Sequence, residues 1–207
     1  TYSIRFTRTD FGNPSYIGTD GGLFYHNVAR YWPIVPVLDP NGHYVTESNI
    51  QRLTDGGRYE TQTDILAQQL ALRITPIEGL VVNAELNYRI NNTNEHKDWL
   101  PVYAYDCDNN PYIIENTTTS VWEKAYKSNY FNPNIFAEYS FSLKEDHNFK
   151  VMAGFQSEWY SSRGMWAQRN GIMGGLPTLN TTNTNPTLGG DYQKWTTAGF
   201  FGRLNYD

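Results

Sequence analysis

The stretch "RITPIEGLVVNAELNYRI", Arg73 to Ile90, decides the fold. It reads as two alternating β-strands joined by a turn at Pro76-Ile77-Glu78-Gly79. On the second strand Leu80, Val82, Ala84, Leu86, Tyr88 and Ile90 share one face, and Asn83, Glu85, Asn87 and Arg89 share the other. Side chains of a strand point alternately to its two faces, so one face is greasy along its whole length and the other is polar. A sheet packed on a soluble core gives this pattern. So does the wall of a pore that faces lipid.

The surroundings of the hairpin choose between them. Five other segments have period two: 1–8, 63–75, 134–143, 149–160 and 195–207. With 80–91 they make six strands. The connections alternate strictly between short (Pro76 to Gly79, Lys144 to Asn148) and long (about 9–62, 92–133 and 161–194). In an up-and-down meander this puts all short turns at one end and all long loops at the other. Alternation lasts ten residues or more in four segments; a soluble strand averages about 5–6 residues, whereas a tilted membrane-crossing strand needs about 9–11. Tyr2, Phe149 and Tyr206 are expected at the short-turn edge of the apolar face, and Tyr88 and Trp159 at its long-loop edge, as two aromatic girdles require.

Composition agrees. The chain of 207 residues is 39% hydrophobic and 15% aromatic, with 16 Tyr, 10 Phe and 6 Trp. Mean hydropathy is -0.60, and no run approaches the ~18 apolar residues of a membrane helix. Such averages leave a β-barrel open, because its strands conceal apolarity in alternation. A net charge of -5 without a basic cluster argues against nucleic acid as partner. The single cysteine, Cys107, permits neither an internal disulfide nor a thiolate cluster. The chain starts at Thr1 without a leader and stops at Asp207 inside a strand pattern, so the expectation is a piece of something longer.

Four phrases carry a family resemblance: "ARYWPIVPVLDPNGHY" (29–44), "LALRITPIEGLVVNAELNYR" (70–89), "FNPNIFAEYSFSLKEDHNFKVMAGFQSE" (131–158) and "AGFFGRLNYD" (198–207). Together they resemble the SusC/RagA family of TonB-dependent outer-membrane transporters of Bacteroidetes. The resemblance implies a 22-stranded barrel with an N-terminal plug, driven by TonB, capped by a SusD-like surface lipoprotein, and importing oligosaccharides or oligopeptides. Residues 1–207 would supply one partial barrel domain. The fold expected is all-β: an antiparallel up-and-down transmembrane β-barrel segment of about six strands with long extracellular loops, in the bacterial outer membrane. The rival reading is a secreted β-rich glycan-binding module.

Catalysis has little support. His26, His43, His96 and His147 are scattered and match no metalloprotease or nucleophile-elbow motif. The expectation is transport without an enzyme activity and without a cofactor. "DCDNN" sets Asp106, Asp108 and Asn110 at alternate positions like the start of an EF-hand. However, Pro111 stands where that loop needs Gly and Thr117 where it needs Glu, so calcium is a weak candidate and a polar loop tip the simpler reading. "DPNG" (39–42) reads as a tight turn. The N-x-S/T triplets at 91–93, 116–118 and 180–182 mean only polar loops in a bacterial protein.

Two residue sets are candidates for function. Gln69, Arg73, Asn83, Glu85, Asn87, Arg89, Glu138, Gln156, Glu158 and Arg203 are expected on the polar face, lining a lumen or docking the plug, with charge pairs such as Arg73 with Glu85. Tyr25, Tyr31, Trp32, Trp99, Tyr103, Tyr105, Trp122 and Trp166 are expected on the loops, where aromatic rings would meet sugar rings, peptides or the lipoprotein lid.

Overall fold

The computed structural model describes residues 1–17, 25–26, 29–46, 49–144, 146–173, 175–181 and 184–207. Six long strands form one antiparallel sheet: β1 (Tyr2–Pro14), β2 (Arg58–Ile77), β3 (Leu80–Trp99), β6 (Ser120–Leu143), β7 (His147–Asn170) and β8 (Thr187–Tyr206). Their spatial order, β1-β2-β3-β6-β7-β8, is the chain order of a meander. Between β3 and β6 a small hairpin, β4 (Val102–Tyr105) with β5 (Pro111–Glu115), stands apart from the sheet. A short helix, α1 (Ile50–Thr54), belongs to the first long loop.

Both short connections lie at one end of the sheet. Gly79 turns the first with φ +80°, where its missing Cβ also lets the Ser140 carbonyl approach closely. The long connections, 15–57, 100–119 and 171–186, lie at the other end.

The strands are longer than alternation predicts. β6 and β7 each run 24 residues, about 80 Å at ~3.3 Å per residue. The predicted segments cover only their halves nearest the short turns. Further up, both faces are polar, as in "NNTNEHKDW" (91–99), and hydrophobic alternation has nothing to report. The predicted loops therefore shrink from both ends.

Register shows what the predicted halves share. On the apolar face Leu72, Ala84, Ile135, Phe155 and Phe200 form one cross-strand row, and Ile77, Leu80, Tyr139, Val151 and Leu204 another. Tyr88, Phe131 and Trp159 form the aromatic row on the long-loop side. On the short-turn side Phe141, Phe149 and Tyr206 are neighbours, with ring centroids 5.3 and 5.0 Å apart. Tyr2, grouped with them from sequence, instead lies opposite Leu70 and donates to Gln68.

Nothing described packs on this apolar face. Phe200 is 87% exposed, Leu204 65% and Ile4 60%, while the buried hydrophobic residues among those described are only Val102, Ala104, Val121 and Ile172. Those four lie in the long-loop half and under the small hairpin. A soluble sandwich would invert this, with its largest apolar side chains inside.

Polar groups that intrude on the apolar face are hydrogen-bonded within the sheet. Gln68 accepts from Tyr2, Asn129 accepts from Tyr88, and Ser157 Oγ donates to the Thr197 carbonyl. Pro133 sits in mid-strand without an N–H, and the β6–β7 ladder skips a step beside it. There the Asn132 side chain donates to the Ser157 carbonyl at 2.9 Å and fills the gap.

Candidate functional site

The polar face is built from the complementary positions of the same strands. All ten residues assigned to it from sequence share it by register: Gln69 opposite Asn87, Arg73 opposite Asn83, Arg203 on the β8 side of β7, and the others between. The expected Arg73–Glu85 pair does not form. Arg73 stands opposite Asn83 and Glu85 opposite Ala71, one diagonal step apart. The ion pair of this region is Lys150 with Glu138 at 2.6 Å, a diagonal pair across β6 and β7, where Glu138 stands opposite Met152 and Lys150 opposite Ser140.

Three zones follow one another along the polar face. Towards the short turns, Phe136 and Phe201 flank Gly154, where a Cβ would sit 2.7 Å from that of Phe136, and Met152 is the next residue of β7 on this face, between Glu138 and Arg203. This apolar patch was not anticipated, because period-two reading assigned the whole face as polar. In the middle, Arg89 lies over the Tyr130 ring at 5.5 Å, and Tyr130 donates to Glu158 at 2.9 Å. Beside them the Tyr126 and Tyr160 hydroxyls meet at 2.9 Å, and Tyr160 stacks on Trp195. A recess of about 330 Å³ opens here, lined by Ser3, Arg5, Gln69, Asn87, Arg89 and Tyr130. Nearest the loops, Lys97 stands over both Tyr59 (4.9 Å) and Trp99 (5.0 Å), and Lys124 joins Glu95 at 3.0 Å.

The eight predicted loop aromatics separate accordingly. Trp99, Trp122 and Trp166 are not on loops: they belong to β3, β6 and β7, on the polar face of the long-loop half. Gly189 lies directly beneath the Trp166 indole. They were misplaced because strands with two wet faces lack the alternation that marks a strand. Tyr126 and Tyr130 were missed for the same reason. Their signal was a Tyr every fourth residue in "YKSNY" (126–130), an even spacing that keeps both rings on one face.

Tyr25, Tyr31, Trp32, Tyr103 and Tyr105 are outside the sheet, as expected. Tyr31 donates to the Val35 and Pro36 carbonyls and so holds its own loop, whereas Trp32 is 69% exposed. Together with Arg30, Val35, Thr46 and Arg52 they line a cleft of about 630 Å³. Tyr103 and Tyr105 project from β4 opposite to Val102 and Ala104, which are buried.

The two loop modules touch each other. His43 stacks on Tyr105 with centroids 3.8 Å apart, and Arg52 of α1 pairs with Glu115 of β5 at 2.8 Å. The "DPNG" turn forms as read: Asp39 accepts from the N–H groups of Asn41, Gly42 and His43, with Gly42 at φ +88°. The His43 N–H in particular holds the Asp39 carboxyl below its ordinary pKa.

"DCDNN" caps the tip of the β4–β5 hairpin. Asp106 Oδ1 accepts from the backbone N–H of Asp108 (2.9 Å) and of Asn110 (2.8 Å). The Asn110 N–H is the main cause of a lowered Asp106 pKa. That carboxylate thus serves its own turn. Among the described residues, no three His, Cys, Asp or Glu side chains gather to hold a metal ion, and Cys107 is exposed.

Known structures resemble this arrangement. The structure of the RagAB peptide transporter matches at 25% identity and a TM-score of 0.57, over 72% of this chain and 16% of that one. This likeness supports a SusC/RagA-like relationship and agrees with the antiparallel sheet being a β-barrel segment. The RagAB peptide importer also matches in its "closed-closed" state (23% identity, TM-score 0.54, 72% of this chain) and its "open-open" state (23%, 0.55, 73%), again over 16% of those chains. This chain thus spans about one sixth of the length of the chains it matches. No protein-family model matches it, and neither does any curated protein sequence.

Proposed function

We propose that this segment is wall and loop of an outer-membrane importer that works by TonB-driven displacement of a plug, with a SusD-like lipoprotein closing over its loops. The observation that carries the reading is the uncovered apolar face, bounded by two aromatic rows and free of charged side chains between them. Its natural solvent is lipid, because no water is then needed by the backbone or by the few hydrogen-bonded polar groups. The polar face turns to the lumen. Its Phe136–Met152–Phe201 patch suits plug contact, and its Arg89–Tyr130–Glu158 zone suits a passing polar chain.

Capture falls to the cleft at Trp32 and the rings of Tyr103 and Tyr105. Tyr25, Trp99, Trp122 and Trp166 line the route from there or meet the lid. Between the two cargo classes, the matched structures weigh towards oligopeptides over oligosaccharides, since they are structures of a peptide transporter. The chemistry is transport, and no covalent step is assigned.

The test is uptake by cells carrying the full-length protein and its lipoprotein partner. Labelled oligopeptides and oligosaccharides are offered separately, to wild type and to a Trp32→Ala, Tyr105→Ala double variant. Uptake of one class that falls in the variant supports the reading. A full-length product that stays soluble without detergent removes it, in favour of a secreted glycan-binding module.

A further inference from the structure

Above the apolar belt, three neighbouring strands carry an unneutralised cation at the same height. On β6 the order going up the apolar face is Phe131, Asn129, Lys127; on β7 it is Trp159, Ser161, Arg163; on β8 it is Ala198, Thr196, Lys194. Each cation stands four residues above the last belt side chain of its own strand, with one polar residue between on that face; Met165 and Leu188 follow further up. At ~3.3 Å per residue and a tilt of ~40° this is roughly 10 Å above the belt edge, the depth of lipid headgroups.

The three are packed together. Lys127 lies directly opposite Arg163, and Lys194 is the diagonal neighbour of Arg163 across β7–β8. Like charges directly opposite on one sheet face repel. No carboxylate answers them among the described residues: Asp64 on the same face is held by Arg8 at 2.7 Å, and Glu123 by His96 at 2.6 Å. What the cations do touch is aromatic. Arg163 lies 5.4 Å from the Tyr192 centroid and Lys194 6.0 Å from that of Trp159. Such rings orient a cation without neutralising it. All three cations are exposed, in a chain whose net charge is -5.

We propose that Lys127, Arg163 and Lys194 form a binding site for the phosphorylated headgroup of an anionic lipid in the leaflet on the long-loop side. The acyl chains would lie on the row of Phe131 and Trp159, and the phosphate would bridge the three cations. Continuity of the cluster with the apolar belt selects a lipid over free phosphate, since only a lipid uses both surfaces. The strands β1 to β3 offer no such site: Arg8 is paired, and Asn92 takes the position between Asp64 and Lys127.

This inference rests on the lipid-facing reading above, and the experiment separates the two. Full-length protein in detergent is titrated with phosphorylated lipid A, with its dephosphorylated form and with inorganic phosphate, and thermal stability is read. Wild type should be stabilised by the phosphorylated lipid alone, less so as salt rises. The triple variant K127Q/R163Q/K194Q should bind it on the order of a hundredfold more weakly. The pair R8Q/D64N should bind as wild type does. Equal stabilisation of wild type by both lipids overturns the site, even if the triple variant fails to fold. Stabilisation by inorganic phosphate alone, or an unaltered triple variant, also overturns it. A protein that needs no detergent overturns the barrel reading instead.

Discussion

Leu86 and Asn87 are adjacent in sequence and, by register, on opposite faces of β3. Replacing each in turn by Arg therefore puts the same charge on either side of one wall. Leu86 is six residues above Leu80, where β3 begins. That is ~20 Å along the strand and, at a tilt of ~40°, about 15 Å of height, inside the ~25 Å apolar belt and two residues short of its Tyr88 row. Arginine on the lipid face costs about 2–4 kcal/mol at the bilayer midplane and about 0–1 at the interfaces, so about 2 kcal/mol is expected at Leu86, roughly 30-fold in a folding equilibrium. Asn87 faces the polar side, where it makes one long hydrogen bond to Asn132 at 3.4 Å and lines the recess beside Gln69 and Arg89. Its replacement costs that weak bond and some repulsion from Arg89, about 1 kcal/mol together. The assay is the urea midpoint of the full-length barrel folded into lipid vesicles, backed by the heat-dependent gel mobility of membrane fractions. Leu86→Arg should shift the midpoint strongly downwards or abolish the folded band, and Asn87→Arg should do neither. Equal shifts, or a larger one for Asn87→Arg, refute the assignment of faces.

Three further outcomes can be read in the same preparation. Asn132→Ala leaves the Ser157 carbonyl beside Pro133 without its donor, and should cost about 1–3 kcal/mol in the urea midpoint. Gly154→Ala drives a Cβ against Phe136 and Phe201 and should destabilise by about 1–3 kcal/mol, whereas Gly199→Ala, with nothing within 4 Å, should be neutral. Asp106 has its pKa lowered by the Asn110 N–H, so its hold on the hairpin tip is present above the ordinary carboxylate pKa and is lost as pH falls through the lowered folded value. Protease nicking at 106–110 should accordingly stay low at neutral pH and rise in acid, and Asp106→Ala should show the rise at neutral pH. A chelator should leave thermal stability unchanged; a fall would restore Asp106, Asp108 and Asn110 as calcium ligands.

Strand existence and facing were legible wherever one face is apolar. From Leu80 to Ile90 the two faces differ so sharply that a slip of one residue would invert the wall, and the register bears that out. Four residues later the same strand reads Asn94, Glu95, His96, Lys97, and no periodicity remains. Trp122 and Trp166 were therefore assigned to loops although they belong to strands. The Phe136–Met152–Phe201 patch was illegible for another reason. Each member is a single apolar residue among polar ones on its own strand, and only cross-strand register brings Phe136 and Phe201 to Gly154, beside Met152. The failed Arg73–Glu85 pair is a register matter as well, since sequence gives the face and the partner strand gives the neighbour.

The unheralded halves of the strands are where the proposed function concentrates. Close to the short turns the apolar face must be uniformly greasy, which leaves only the polar face free to vary. Above the belt both faces are wet, and each can be specialised independently. There the polar face gathers Tyr59, Lys97, Trp99, Trp122 and Lys124 beneath the loops, while the other face gathers Lys127, Arg163 and Lys194. Both are cation–aromatic groupings on a single sheet, yet one cation of the first is answered by a carboxylate, Lys124 by Glu95, and none of the second is. A wall that only had to span the membrane would need neither. The extra ~30 Å of strand above the belt is best understood as a scaffold that holds ligand-facing and lipid-facing chemistry back to back, in fixed register, on the same backbone.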